Sequence, residues 1–329
     1  MILIADELGA RIKYAQGQLL IHDKDDNVLT KAELIHVEEV VLVGAVGISG
    51  PAIEAIVANG IDLYYIAYDG EPAARLVPDG STYAELRLAQ YRATNDDKQK
   101  LYYAKAFVGA KLANQKILLQ RAFRTWHQEH SLEPLDRAIQ QIDGAPDIAT
   151  LMGIEGAAAQ AYFTLIGHII PPEWGFRGRK RRPPPDPVNA MLSFGYTYVG
   201  NLVTRAARAA RLDIYLGLLH AEREGRPSLP LDLLEEFRPF TADATMLRIV
   251  RQKMLKPTDF ETTPDGGCRM SEPARAEFIQ TLENRLADEF THPTKRQRCN
   301  FRQAMLIQAR ELAHSLLADK PTYQALVLR

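Results

Sequence analysis

The apolar pattern of the chain changes character near residue 80, and that change bounds what it can fold into. Before it, short apolar runs recur: Ile2-Leu3-Ile4, Leu19-Leu20-Ile21, Val40-Val41-Leu42-Val43 and Leu63-Tyr64-Tyr65-Ile66. Turn-forming segments such as Ala15-Gln16-Gly17 and Asp23-Lys24-Asp25-Asp26-Asn27 separate them, so the runs predict strands. One short helix is expected among them, opened by Ser49-Gly50-Pro51, burying Ile53, Ile56 and Val57, and closed by Asn59-Gly60. Val77-Pro78-Asp79-Gly80-Ser81 reads as a turn or linker. From about Tyr83 onward, apolar residues recur at helical spacing, as at Phe301, Met305, Ala309, Leu312 and Leu316. Residues 99–126 read as one long helix with few breakers apart from Gly109. The expected fold is α+β: a small β-rich domain over 1–80, a linker and helix start over 81–95, and a larger all-α domain over 96–329.

Some classes of protein are excluded by what the chain lacks. No stretch approaches the ~18–20 consecutive apolar residues of a membrane span. Met1-Ile2-Leu3-Ile4-Ala5-Asp6-Glu7 has no basic region leading into a long apolar run, so no secretory signal is expected. Two cysteines, Cys268 and Cys299, make no framework of bridges and neither belongs to a CxxC pair, which fits a reducing cytoplasm. With 40 basic and 41 acidic residues the net charge is −1, so the placement of charge carries the information. Arg177-Gly178-Arg179-Lys180-Arg181-Arg182 puts five cations in six residues, and Lys295-Arg296-Gln297-Arg298 adds a second cluster. The first follows Trp174 and Phe176, and cations beside aromatics suit phosphate neutralisation and base stacking; equally, basic runs are often solvated surface. Within Pro183-Pro184-Pro185-Asp186-Pro187-Val188-Asn189-Ala190, Asp186 reads as an N-cap with Pro187 in the first helical position.

Three segments carry candidate chemistry. Glu155 is a lone carboxylate in the small-residue helix Leu151-Met152-Gly153-Ile154-Glu155-Gly156-Ala157-Ala158-Ala159; burying it requires a cation or donor, and otherwise it is an ordinary half-exposed glutamate. His220 ends an apolar stretch before a polar loop, a place where a histidine is more often structural than a ligand. Asp232 and Glu235 fall three apart on a helix entered after Ser228 or Pro230, and so share a face. Asp232 is also explained by a place in the first turn, against the helix dipole. Carboxylate, imidazole and carboxylate from separate helices make a plausible site for Mg²⁺ or Mn²⁺, which take oxygen ligands and keep positions open for phosphate and water. The imidazole shifts preference toward Mn²⁺.

Taken in order, these segments resemble the CRISPR-associated integrase that captures new spacers. Val40–Val43 followed by Ile48-Ser49 and Gly60-Ile61 matches its N-terminal β domain, and Lys111-Leu112-Ala113-Asn114-Gln115 resembles an early helix of its α domain. Gly153-Ile154-Glu155-Gly156 resembles the helix bearing the first metal ligand, and Asp186–Tyr196 is very close to a family signature. Gly217 through Pro239 is the most specific match, although Ile214-Tyr215 and Met270 depart from common family residues. The resemblance implies Glu155, His220 and Glu235 as metal ligands, with Asp232 as a neighbouring carboxylate of less certain role. It implies attack of a DNA 3′-hydroxyl on a phosphodiester at the edge of a CRISPR repeat, and cleavage when water attacks instead. It further implies a homodimer with contacts through the β domain, and a second small CRISPR-associated protein clamped between two dimers. On charge alone, Arg177, Arg179, Lys180, Arg181, Arg182 and Arg238 are assigned to DNA phosphates. Rival readings are a non-catalytic DNA-binding scaffold and a general DNA-repair junction nuclease. The segment 261–273 around Gly266-Gly267 reads equally as flexible loop or ordered turn.

Overall fold

Strand propensity over the first third of the chain is realised as two four-stranded sheets. The computed structural model describes residues 2–37, 39–59, 61–67, 72–76, 84–221 and 223–328, so the turn expected at Val77–Ser81 and the helix-closing Gly60 lie outside the described residues. One sheet contains β1 (Ile2–Ala5), β5 (Glu39–Val43), β7 (Asp62–Ile66) and β8 (Pro72–Leu76), in that order. The other runs β4 (Val28–Glu33), β3 (Gln18–His22), β2 (Arg11–Ala15) and β6 (Gly47–Ile48). β5 lies between β1 and β7, parallel to both, and buries Glu39 to Leu42 in succession. A continuous apolar run, rather than alternation, is what such a covered strand needs. β2 and β3 join through Gln16 and Gly17, both with positive φ (49° and 79°), the two-residue turn whose twist suits a hairpin. Helix α1 (Gly50–Ala58) is rotated from the expected face: Ala52 and Ile56 are fully buried, while Ile53 and Val57 are only half-buried.

The chain divides into two compact units, Met1–Thr82 and Tyr83–Arg329. In the second, α2 (Ala84–Asn95) leads to α3 (Asp97–Trp126), whose 30 residues pass Gly109 without a break. Asp96 caps α3 by accepting from the backbone N–H groups of Lys98 and Gln99, and His127 ends it in the left-handed region. There follow α4 (Glu133–Ile142), α5 (Ile148–Ile169), α6 (Pro187–Ala209), the short α7 (Ser228–Leu234), α8 (Ala244–Gln252), α9 (Glu272–Ala287) and α10 (Phe301–Leu317). A π-helical turn at Pro239–Asp243 connects α7 to α8. The core is built on Tyr103, Phe107, Tyr162, Phe237, Phe240, Phe278 and Phe301, all fully buried. Among the described residues no helix is long and apolar enough to cross a membrane.

This unit is helical but not all-α. Two antiparallel ribbons interrupt it: β9 (Phe260–Thr262) with β10 (Cys268–Met270), and β11 (Glu289–Thr291) with β12 (Arg298–Asn300). The segment 261–273 is thus an ordered ribbon to Met270 followed by the start of α9, tied to the proline-rich loop where the Cys268 N–H donates to the Pro184 carbonyl (2.7 Å). The second basic cluster is neutralised locally, Lys295 by Glu311 (2.6 Å) and Arg298 by Glu289 (2.7 Å). Beyond α10, an extended segment buries Tyr323, Leu326 and Leu328. Asn114 of α3 holds it, donating to the Leu326 carbonyl (2.8 Å) and accepting from the Leu328 N–H (3.1 Å).

Candidate metal centre

Helix α3 turns one stripe inward at helical spacing: Ala104, Phe107, Lys111, Asn114 and Leu118 are all buried. A lysine on such a stripe needs anions, and Lys111 has two. Its Nζ lies against Glu155 Oε1 of α5 and 2.7 Å from Glu235 Oε2, at the C-terminal cap of α7. The side chains of Lys111, Glu155 and Glu235 are 7%, 16% and 4% exposed, so the group is sheltered yet reachable past Glu155. Glu155 is therefore not an ordinary half-exposed helix glutamate.

His220 approaches from the other side, its Nε2 4.0 Å from Glu235 Oε1. It stands on the loop before α7, not on a helix as expected, and its orientation comes from Asp232. Asp232 Oδ2 accepts from the backbone N–H groups of Leu218 (2.6 Å) and Leu219 (3.0 Å); Oδ1 accepts from the His220 N–H (2.9 Å) and contacts His220 Nδ1 (2.8 Å). The first-turn reading of Asp232 is overturned: it sits near the end of α7 and is fully buried, and its charge is met by another loop's amides. An ionised acceptor at Nδ1 puts the imidazole proton there and leaves the Nε2 lone pair turned toward Glu235. Gly217 lets the loop close, since a Cβ there would lie 2.7 Å from the His220 carbonyl oxygen and 2.8 Å from Ser228 Cβ. Gln90 of α2 anchors the approach, donating to the carbonyls of Asp213 (2.7 Å) and Leu216 (3.1 Å).

Charge compensation decides the ionisation of Glu235. Burial pushes its carboxyl up, but the cations of Arg238 and Lys111 outweigh burial and hold it at about 2. Arg238 is 12% exposed, 3.2 Å from Glu235 Oε1, with its guanidinium 4.7 Å from the centroid of the Tyr196 ring. It belongs to this cluster rather than to an outer phosphate-binding surface. Behind it, Asp243 accepts from the hydroxyls of Tyr162 (2.7 Å) and Tyr196 (2.6 Å). Burial raises Asp243 to about 6, against the hydrogen bonds of the two tyrosines and the charges of Arg238 and Arg179. Glu236 turns the opposite way from Glu235. It accepts from the Tyr323 hydroxyl, the Leu326 N–H and Gln308, and burial pushes it up to about 7.

Of the remaining basic candidates, Arg177, Lys180, Arg181 and Arg182 are exposed. Arg179 is held by the loop itself, donating to the Lys180 carbonyl, Asn189 Oδ1 (2.9 Å) and Ser193 Oγ (3.1 Å). Asp186 caps α6 as expected, accepting from the Asn189 N–H (2.9 Å). Fully buried Asn189 stitches the loop to α6, donating to the Gly178 carbonyl (2.9 Å) and accepting from the Lys180 N–H (2.8 Å). On α5, Gly153, Gly156 and Ala157 lie exposed beside Glu155, flanked by exposed Met152 and Gln160, and a Cβ at either glycine would meet nothing within 4 Å.

The donor set suits a hard divalent ion with one borderline ligand: two carboxylates sharing one cation, and an imidazole nitrogen with its lone pair turned to the same place. Among the described residues no three acidic, imidazole or thiol groups are already drawn up as a coordination sphere. The Lys111 ammonium stands between the carboxylates instead. Lys111 and Arg238 are the members of the cluster that motif reading left without this role. The signal for Lys111 was a charge on a buried helical stripe.

Comparison with known proteins gives a consistent result. A family model described as CRISPR associated protein Cas1 matches residues 3–284. The chain is 34% identical over 302 residues to CRISPR-associated endonuclease Cas1 3 of Thermus thermophilus, covering 92% of this chain and 89% of that protein. Among solved structures, a casposase bound to its integration product superposes with a TM-score of 0.77 at 20% identity, covering 98% and 97% of the two chains. A chain of a partial Cas6-RT-Cas1–Cas2 complex gives 0.76 at 22% identity, covering 100% and 98%. At these identities the structural likeness speaks for the fold.

Proposed function

The chain belongs to the CRISPR-associated Cas1 family, and from that premise we propose that it is a divalent-metal-dependent DNA integrase and endonuclease that inserts short DNA fragments as spacers into a CRISPR array. The observation that carries the reading is the sharing of one cation by Glu155 and Glu235, beside a histidine whose Nε2 is left as an acceptor. Two buried carboxylates brought together at one point are unfavourable unless a cation is wanted there. A purely DNA-binding scaffold has no use for that arrangement.

In this reading Glu155, His220 and Glu235 hold Mg²⁺ or Mn²⁺. Held by these residues, such an ion would supply charge neutralisation at the reacting phosphodiester and acidification of the attacking hydroxyl. The protein's own residues do the rest. Asp232 fixes the His220 tautomer, so His220 serves as a ligand and not as a general base. Arg238, stacked on Tyr196, keeps Glu235 ionised and adds a fixed positive charge beside it. The exposed Arg177, Lys180, Arg181 and Arg182 supply phosphate contacts. With a 3′-hydroxyl as nucleophile the outcome is strand transfer; with water it is cleavage. The relative named as an endonuclease and the casposase caught with an integration product support both outcomes. In the same reading the chain works in the cytoplasm as a homodimer paired through the β-rich unit, with a small second adaptation protein; the likeness to a chain of a complex named for Cas1 and Cas2 supports the second partner.

The test is strand transfer of a short duplex into a repeat-containing plasmid, with Mg²⁺ and with Mn²⁺. Glu155→Ala, His220→Ala and Glu235→Ala are expected to abolish joining and cutting while duplex binding persists. Wild-type integration by all three variants would refute the site. Duplex binding by the native protein with no joining or cutting in either metal would favour the scaffold.

A further inference from the structure

Lys111 has the place that the ion would take if Glu155 and Glu235 are its ligands, the reading on which this inference rests. We propose that Lys111 is an exchangeable internal cation: its ammonium neutralises the two carboxylates until a divalent ion enters, and then swings out to meet phosphate on bound DNA. Metal binding and DNA binding would thereby strengthen each other through one side chain.

Four observations carry this. The Lys111 ammonium touches both carboxylates at once and its side chain is 7% exposed, so it cannot stay in place when a second cation takes the same oxygens. Glu235 Oε2 is buried and has no aligned hydrogen-bond donor despite Lys111 Nζ at 2.7 Å, so the contact is one of charge and is readily passed to another cation. The charge balance also fits. Around the centre, the three carboxylates of Glu155, Asp232 and Glu235 face the two cations of Lys111 and Arg238. A divalent ion added on top leaves net positive charge, whereas one that displaces the ammonium leaves none. Finally, the two cations differ in freedom. Arg238 is fixed between Glu235 and the Tyr196 ring, while a lysine is a compact charge on a four-carbon stem, able to swing outward past Glu155, the more exposed of the two carboxylates. Once outside, the ammonium has left both carboxylates, and a DNA phosphate is the anion the reaction itself supplies.

The experiment is a calorimetric Mn²⁺ titration of the full chain and of Lys111→Met, each with and without a short blunt duplex, with Glu155→Ala alongside. Native protein is expected to bind Mn²⁺ more tightly when the duplex is present. Lys111→Met is expected to bind Mn²⁺ about tenfold or more tighter than native protein without DNA, because no competitor must leave, and to gain less from the duplex than native protein does. Its melting temperature should fall without Mn²⁺ and recover on addition. Mn²⁺ binding by Lys111→Met equal to or weaker than native overturns the inference while leaving the site reading intact. Equal binding by native protein and Glu155→Ala takes both down. Should Lys111→Met fail to fold, reductive methylation of native protein decides. Lys111 should be protected without Mg²⁺ and labelled at saturating Mg²⁺, and unchanged protection overturns the exchange.

Discussion

Replacing Asp232 with asparagine keeps the shape of the side chain but converts one of its two acceptor oxygens into a donor. If the new NH₂ takes the Oδ2 position it opposes two buried amides, those of Leu218 and Leu219. At about 1–3 kcal/mol for each unsatisfied buried donor, that arrangement loses about 2–6 kcal/mol. If it takes the Oδ1 position only the His220 amide goes unsatisfied, at about 1–3 kcal/mol. In that case the imidazole must accept at Nδ1 and carry its proton on Nε2, the nitrogen turned toward Glu235. The second arrangement is the less unfavourable, so Asp232→Asn should lose about 1–3 kcal/mol of stability. It should also bind Mn²⁺ about 10–100-fold more weakly, the usual penalty for removing the partner that orients a ligating histidine. Urea unfolding and calorimetric Mn²⁺ titration read the two effects separately. A variant that loses the stability yet binds Mn²⁺ within about a factor of two of native protein would refute the tautomer reasoning.

Asp243, raised by burial to about 6, holds a proton in the folded chain that the unfolded chain releases near the ordinary aspartate value of 3.8. Stability from this group is therefore fully present below about 4 and is lost as pH rises toward about 6, by about 3 kcal/mol; in Asp243→Asn that part of the pH slope should vanish, and an unchanged slope from urea unfolding at pH 4.5 and 6.5 would exclude the assignment. Gly217→Ala places a methyl 2.7 Å from the His220 carbonyl oxygen and should lose about 1–3 kcal/mol in the same assay, a change under about 0.5 kcal/mol counting against a tightly closed loop. Changing exposed Arg177, Arg181 and Arg182 together to serine should lessen the slope of log Kd against log salt for duplex DNA by up to about 3, and an unchanged slope would remove this loop from the phosphate path.

The runs Ile2–Ile4, Leu19–Ile21, Val40–Val43 and Leu63–Ile66 all became strands, because short β-branched and aromatic runs between turn residues have few other outcomes. β6, only two residues long, and β8, which begins with a proline, carry no such run and were not legible. The long helix is visible in its spacing and begins two residues earlier, at Asp97, directly after the Asp96 cap. Spacing could not bring Glu155, His220 and Glu235 together, since 65 and 80 residues separate the first from the others; only their order as motifs suggested it. The part Asp232 plays is hidden from sequence because its partners are amides of a loop a dozen residues upstream, which no local pattern reveals. Arg238 was taken for surface because charge alone does not tell a buried ion pair from a solvated one.

The bare face of α5 beside Glu155 has an energetic consequence for whatever docks there. Each long side chain immobilised in an interface forfeits about 0.5–1.5 kcal/mol of rotamer freedom. Gly153, Gly156 and Ala157 have no rotamers to freeze, so a rigid partner seated on these three positions meets little entropic resistance there, the loss falling instead on flanking Met152 and Gln160. Lengthening these three side chains would slow or weaken docking without touching a single charge.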